Sequence, residues 1–173
     1  MSALVQRHGG GSPVAAVVPA DLSSYRLLAW TAVARLASPV ATASATAVDV
    51  TGLAFALGAN ETWSFEFRLM TQSSAGLGHR WALDVPAGCT VVASARGSRG
   101  SAVSIIADDI TADDTLTGTF GTGTYATGGW VDLYGTVANG STAGTVQLRF
   151  ATATGLDTAT VKAGSFLNAL RHS

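Results

Sequence analysis

Four aspartates crowd one short stretch, Asp108, Asp109, Asp113 and Asp114, read as DDITADD. Clustered carboxylates in a loop are the oxygen donors a calcium ion takes. The spacing departs from an EF-hand, which needs acids at alternate positions and a glutamate at the twelfth. A solvated loop whose aspartates cap turns accounts for the same residues, and we expect that. The histidines are His8, His79 and His172. His79 is the one inside the patterned region, and a Ser-His-Asp relay would need it beside Asp84 and a serine. No Gly-x-Ser-x-Gly elbow is present, so His79 reads as a turn-side polar residue. Glycoside hydrolysis needs two carboxylates across a cleft. The only glutamates are Glu61 and Glu66, and Glu66 sits where it can pair with Arg68 or a cross-strand Arg149. Cys89 is the sole cysteine, which rules out an intrachain disulfide and reads as a small packed hydrophobe. Tyr125, in a glycine-rich loop, and Tyr134, on the polar side of a strand, are candidates to stack on a ligand; packing on a neighbouring loop or subunit is the plainer use. Asn60-Glu61-Thr62 and Asn139-Gly140-Ser141 match the glycosylation sequon, yet both also read as turns.

The elements that must hold these residues are strands. Glu61–Met70, ETWSFEFRLM, alternates Trp63, Phe65, Phe67 and Leu69 with Ser64, Glu66, Arg68 and Met70. A period of two marks a strand with one buried and one wet face. Three aromatics on one face demand a second apolar layer, and no helix of comparable strength is available, so a second sheet is expected. Val48, Val50, Leu53, Phe55 and Leu57 form another strand, with Gly52 as a bulge and Gly58-Ala59-Asn60 as the turn. Arg80–Val85 and Cys89–Ala95 follow, then a short apolar strand at Ala102–Ala107 and one marked by Leu116 and Phe120. Trp130–Ala138 alternates through Val131, Leu133, Gly135 and Val137. Asn139-Gly140-Ser141-Thr142 is expected to turn it back as a hairpin into Thr145–Thr152. In Tyr25–Ala37 helical and strand patterns compete, and a strand is favoured in the second half.

About eight to ten short strands separated by turns predict an all-β, antiparallel β-sandwich, jelly-roll-like, over residues 25–173. Residues 1–24 read as an extended N-terminal arm. Gly9, Gly10 and Gly11 make it flexible, and Val14, Val17 and Val18 supply a short apolar patch for docking. With 173 residues the chain can bury a sizeable core as one sandwich domain. The net charge of −1 and pI near 6.2 give no electrostatic case for nucleic acid. No apolar run reaches the roughly 18–20 residues of a membrane span. Arg7 and His8 precede a glycine run, and Pro13–Val18 is short for a signal-peptide core, so export is not expected. Charged residues are only 12%, which suits a surface covered by other copies. The single lysine, Lys162, guards edge strands poorly, and self-association would cover them.

The order of segments resembles a domain recurring in structural proteins of tailed-phage virions. The residues carrying it are VDVTGLAFALGANETWSFEFRL (Val48–Leu69), HRWALDVP (His79–Pro86), WVDLYGTVANGSTAGTVQLRFATAT (Trp130–Thr154) and TVKAGSFLNAL (Thr160–Leu170). The resemblance implies a jelly-roll-like sandwich, often a homotrimer, in a head decoration, spike, minor tail or tail-fibre protein. It transfers no catalytic residue and no cofactor. The protein would be assembled in the host cytoplasm, reside in the virion and contact other head or tail proteins. The alternative is a receptor- or glycan-binding module of a tail fibre, with loops around Tyr125, Gly129 and Asp108–Asp114 holding a host surface glycan.

Overall fold

A computed structural model describes residues 3–5, 14–17, 32–99, 104–120 and 129–173. The described residues are all β, without a helix. The strands are β1 (Ala3–Val5), β2 (Val14–Val17), β3 (Ala32–Arg35), β4 (Val40–Thr42), β5 (Val48–Leu57), β6 (Thr62–Ser73), β7 (His79–Asp84), β8 (Thr90–Arg99), β9 (Ser104–Ile110), β10 (Gly129–Ala138), β11 (Gly144–Thr152), β12 (Ala159–Val161) and β13 (Phe166–Arg171). Of the expected arm, Val14 and Val17 lie in β2, which pairs antiparallel with β1. Val18 and Tyr125 lie outside the described residues.

The aromatic strand β6 sits inside the larger sheet, between β13 and β10. Its alternation is realised: Trp63, Phe65, Phe67 and Leu69 are buried, while Arg68 and Met70 are exposed. The order across this sheet is β3-β13-β6-β10-β8-β9, with β12 pairing both β4 and β6. The short strands are pieces of longer ones. β12 and β13 both pair with β6, Val161 opposite Thr71 and Phe166 opposite Arg68, so residues 162–165 bulge out of one continuous ribbon. Gly164 adopts φ +91° there, and the Ser165 hydroxyl accepts from the Met70 amide at 3.0 Å. β3 and β4 pair with β13 and β12 in one register. So merged, the larger sheet has six strands.

The smaller sheet is β5-β11-β7. Gly52, at φ +96°, opens the expected bulge. Gln147 pairs with Ala54 but Arg149 with Asp49, and the Gln147 amide reaches in to donate to the Val50 and Leu53 carbonyls. The inner faces meet in one core. Phe55 of the smaller sheet lies 5.4 Å from Trp63 and 6.0 Å from Phe65 of the larger, ring centre to ring centre. Trp81 and Phe150 stack at 5.9 Å. This is a sandwich of two antiparallel sheets.

Three expectations need correction. β10 and β11 do not form a hairpin. β10 pairs with β6 and β8, β11 with β5 and β7, so the Asn139–Thr142 turn is an arch from one sheet to the other. Gly58–Glu61 and Pro86–Cys89 are arches too, at the same end, and they stack: the Asn60 amide donates to Gly140 O at 2.7 Å and the Asn139 amide to Glu61 O at 2.8 Å. Second, Asp108 and Asp109 belong to β9 rather than to a loop. The β8 ladder continues through Asp109 and Ile110 and keeps the chain extended. Third, Leu116–Phe120 is not a regular strand. Residues 114–120 follow β7 through spaced bonds, Asp114 N to Leu83 O, Thr117 N to Trp81 O and Phe120 N to His79 O, each 2.8 Å.

Candidate functional site

Register across the larger sheet aligns its outward side chains in rows. Met70 stands opposite Trp130. In the next row Arg35, Phe166, Arg68, Asp132 and Arg96 are neighbours, and in the third Val33, Asn168, Glu66, Tyr134, Ser94 and Asp109. Ser64, Thr136 and Val92 end the face. Large apolar side chains at 41–65% exposure gather here: Val33, Met70, Val92, Trp130 and Tyr134. Among the described residues the two other exposed large apolar ones, Leu77 and Leu156, lie in corner loops. Single exposed apolar residues are ordinary, but a grouped patch marks a contact surface.

The charges between these side chains neutralise one another. Glu66 Oε1 is 2.7 Å from Arg68 Nε, which lies 4.0 Å from Asp132 Oδ1; Arg96 Nη2 approaches the other Asp132 oxygen at 3.8 Å. The hydrogen bond to Glu66 raises the pKa of Arg68 above its ordinary value. The Arg96 guanidinium lies 5.1 Å from the Tyr134 ring centre, a cation–π distance. Two shallow hollows indent the face. One of about 350 Å³ is lined by Arg68, Met70, Trp130, Asp132, Gly164 and Phe166. The other, about 240 Å³, lies among Val92, Ser94, Asp109, Thr111 and Tyr134. Of the sequence candidates, Tyr134 falls on this face. Nothing in the spacing of Trp130 and Met70 marks them as a pair, because their adjacency comes from the register between β10 and β6.

The four aspartates are spread apart and spent locally. Asp108 accepts from the Asp109 and Gly118 amides, and Asp113 from the Val85 amide at 2.9 Å. Asp114 pairs with Arg149, which also meets Asp49 at 3.1 Å; Arg149 thus does not pair with Glu66. Asp109 is exposed on the outer face. Among the described residues no group of three or more His, Cys, Asp or Glu is placed to hold a metal ion. Asp84 is exposed, and its carboxyl is raised by partial desolvation and by Asp113. Cys89 is half-buried against the core, and burial raises its thiol pKa. Asn139 is nearly buried and its side-chain amide donates to Gly58 O at 2.7 Å and Thr142 O at 2.9 Å, the turn role rather than a glycan anchor. Glu61 closes the neighbouring arch, accepting from the Gly58 amide, Trp63 Nε1 and Arg171, and these bonds lower its pKa, the Gly58 bond most.

His79 is buried, its ring edge-on to Trp81 at 5.1 Å, and its Nδ1 has no partner. Burial lowers its pKa to about 4, so it is neutral at pH 7. Asp157 is a residue that sequence reading passed over, since no local pattern marks it. It is nearly buried and accepts from the Ser73 and Ser74 hydroxyls, from the Ala75 amide at 2.7 Å and the Leu77 amide at 3.1 Å. Burial pushes its carboxyl up, but these bonds outweigh it and hold the group well below the usual carboxylate range. It ties the β6–β7 corner to the β11–β12 corner.

The fold and the face together define an antiparallel β-sandwich with an apolar-studded, charge-balanced outer sheet surface. Compared with known families, curated proteins and solved structures, the chain finds no match.

Proposed function

We propose that this chain is a non-enzymatic structural protein of a tailed-phage virion. In this reading it is a surface-projecting decoration, spike or tail-associated protein with a jelly-roll-like sandwich over residues 25–173, assembled as a homotrimer. Residues 1–24, through Val14, Val17 and Val18, dock it on other head or tail proteins. The observation that carries the proposal is the gathering of Val33, Met70, Val92, Trp130 and Tyr134 on one outer sheet face, a surface suited to being covered. The sequence resemblance supplies the virion setting, and the low share of charged residues fits a chain surrounded by other protein. The test is the mass of the purified protein in solution, with and without residues 1–24. A trimer in both forms is expected. A monomer at micromolar concentration in both would overturn the homotrimer.

A second reading, a receptor- or glycan-binding module, is favoured by the hollow beside Trp130, where an aromatic ring, a guanidinium and a carboxylate converge. Binding of the isolated protein on a glycan array, lost on Trp130→Ala, would select it over the first.

A further inference from the structure

We infer that the outer face of the larger sheet is where a second copy of this chain seats, with Trp130 and Met70 as its anchors. This rests on the reading of the chain as a self-assembling structural protein and names the surface that reading needs.

Size argues first. From Ser64 to Met70 the rows span about 20 Å, and from β13 to β9 the strands span about 20 Å, at roughly 3.3 Å per residue and 4.8 Å per strand. That is about 400 Å² in plan, and a standard interface takes about 800 Å² of accessible surface from each partner, so a partner of that size needs the whole side-chain-studded face rather than one hollow in it. The exposed apolar residues match that footprint. Val33 stands beside β13, Met70 and Trp130 at one end of the rows, Tyr134 in the middle and Val92 at the other end. A small ligand in one hollow would leave most of them in water.

Charge then selects the partner. Arg35, Arg68 and Arg96 face Glu66, Asp109 and Asp132 on the same surface, three of each sign. An acidic or basic partner finds no net field there. A second copy, with a net charge of −1, meets such a face with little repulsion, and in a closed trimer it does so with a different patch of its own surface. Glu66, Arg68, Asp132 and Arg96 are also already paired within the subunit. Covering these four strands no lone charge, the costly outcome at an interface, and the other two ions, Arg35 and Asp109, lie on the edge strands β3 and β9. A flat aromatic and a thioether between them supply adaptable contact area.

The smaller sheet presents a different surface. Its outward side chains include Thr145, Asp49 and Arg149, and Arg149 ties Asp49 to Asp114 of the segment that runs beside β7. Short and charged residues suit water, so the two outer faces are assigned opposite roles.

The test is the mass of the full chain by light scattering, for wild type and for Trp130→Glu, Met70→Glu, Val92→Glu and Thr145→Glu, with circular dichroism of each. The expected result is an oligomeric wild type and Thr145→Glu. Trp130→Glu and Met70→Glu should become monomers with the native β spectrum, self-association weakened at least about thirtyfold, the scale of an interface hot spot. Should Trp130→Glu misfold, Met70→Glu and Val92→Glu decide. Folded face variants that keep the wild-type mass overturn the assignment of the face and leave self-assembly standing. A monomeric wild type overturns both. Dissociation by Thr145→Glu alone would move the interface to the smaller sheet.

Discussion

Asp157 reaches Ser73 across 84 residues of chain. Its carboxylate collects hydroxyl and amide donors that would otherwise lie unpaired at the end of the sandwich. Asp157→Asn keeps the shape but turns an NH2 toward those donors. We expect a loss of about 3 kcal/mol, since bonds to a charged acceptor are worth about 1.5–3 kcal/mol each and stranded donors add to the cost. For a chain of this length that is a Tm drop of about 10 °C, read by thermal melting at pH 7, whereas Asp109→Asn on the exposed face should change Tm little. His79 sets the response to acid. Its folded pKa, about 4, is depressed from 6.5, so between those values the unfolded chain binds a proton the folded one refuses. Stability is therefore full above pH 6.5 and falls as pH drops toward 4, by about 3 kcal/mol at 1.36 kcal/mol per unit. Asp157 runs the other way in cause. Its depressed carboxyl contributes stability that is full above the usual carboxylate range and is lost progressively as pH falls below it. Urea unfolding from pH 7 to 4.5 should show a falling free energy in wild type and a flatter profile in His79→Gln; equal slopes would remove His79 from the account.

The arches are the elements on which the sequence was least transparent. Period-two alternation in β5, β6 and β10 was legible because it needs only the local pleat and a buried side. Gly52 announced its bulge by being a glycine inside a strand. The choice of strand partner is a tertiary matter, and there local signals misled. Asn139-Gly140 looks like a hairpin turn, yet Asn139 spends its side chain on Gly58 and Thr142, and a Cβ on Gly140 would stand 3.1 Å from Gly88 O in the adjacent arch. The pair serves arch stacking. Ile110 closes an extended run containing Asp108 and Asp109, acids that composition assigns to a loop but β8 holds in register. For the site, Tyr134 was legible from its place on the polar side, whereas the Trp130–Met70 pair needed the register between β10 and β6. Asn139→Ala tests the arch stack. It removes two hydrogen bonds and strands the Gly58 carbonyl, and should cost about 2–3 kcal/mol in urea unfolding, against little change for Asn60→Gly, where φ is already +59°.

At the scale of the whole molecule the two outer faces differ in kind, one apolar-studded and internally neutralised, the other short-chained and ionic around Arg149. In the proposed assembly a sandwich so divided has an inside and an outside, and the mass measurements above read which is which. The connectivity has a consequence of its own for how such a chain comes into being. Among the described strands from β3 to β13, only β8 and β9 are sequence-adjacent and paired. β5 meets its ladder partner β11 only after about ninety further residues are made, so its edge waits open over that stretch of synthesis, and formation of such distant pairings is slow. β13 enters last, inserted between β3 and β6. The larger sheet therefore cannot close on the ribosome until Arg171 has cleared the exit tunnel.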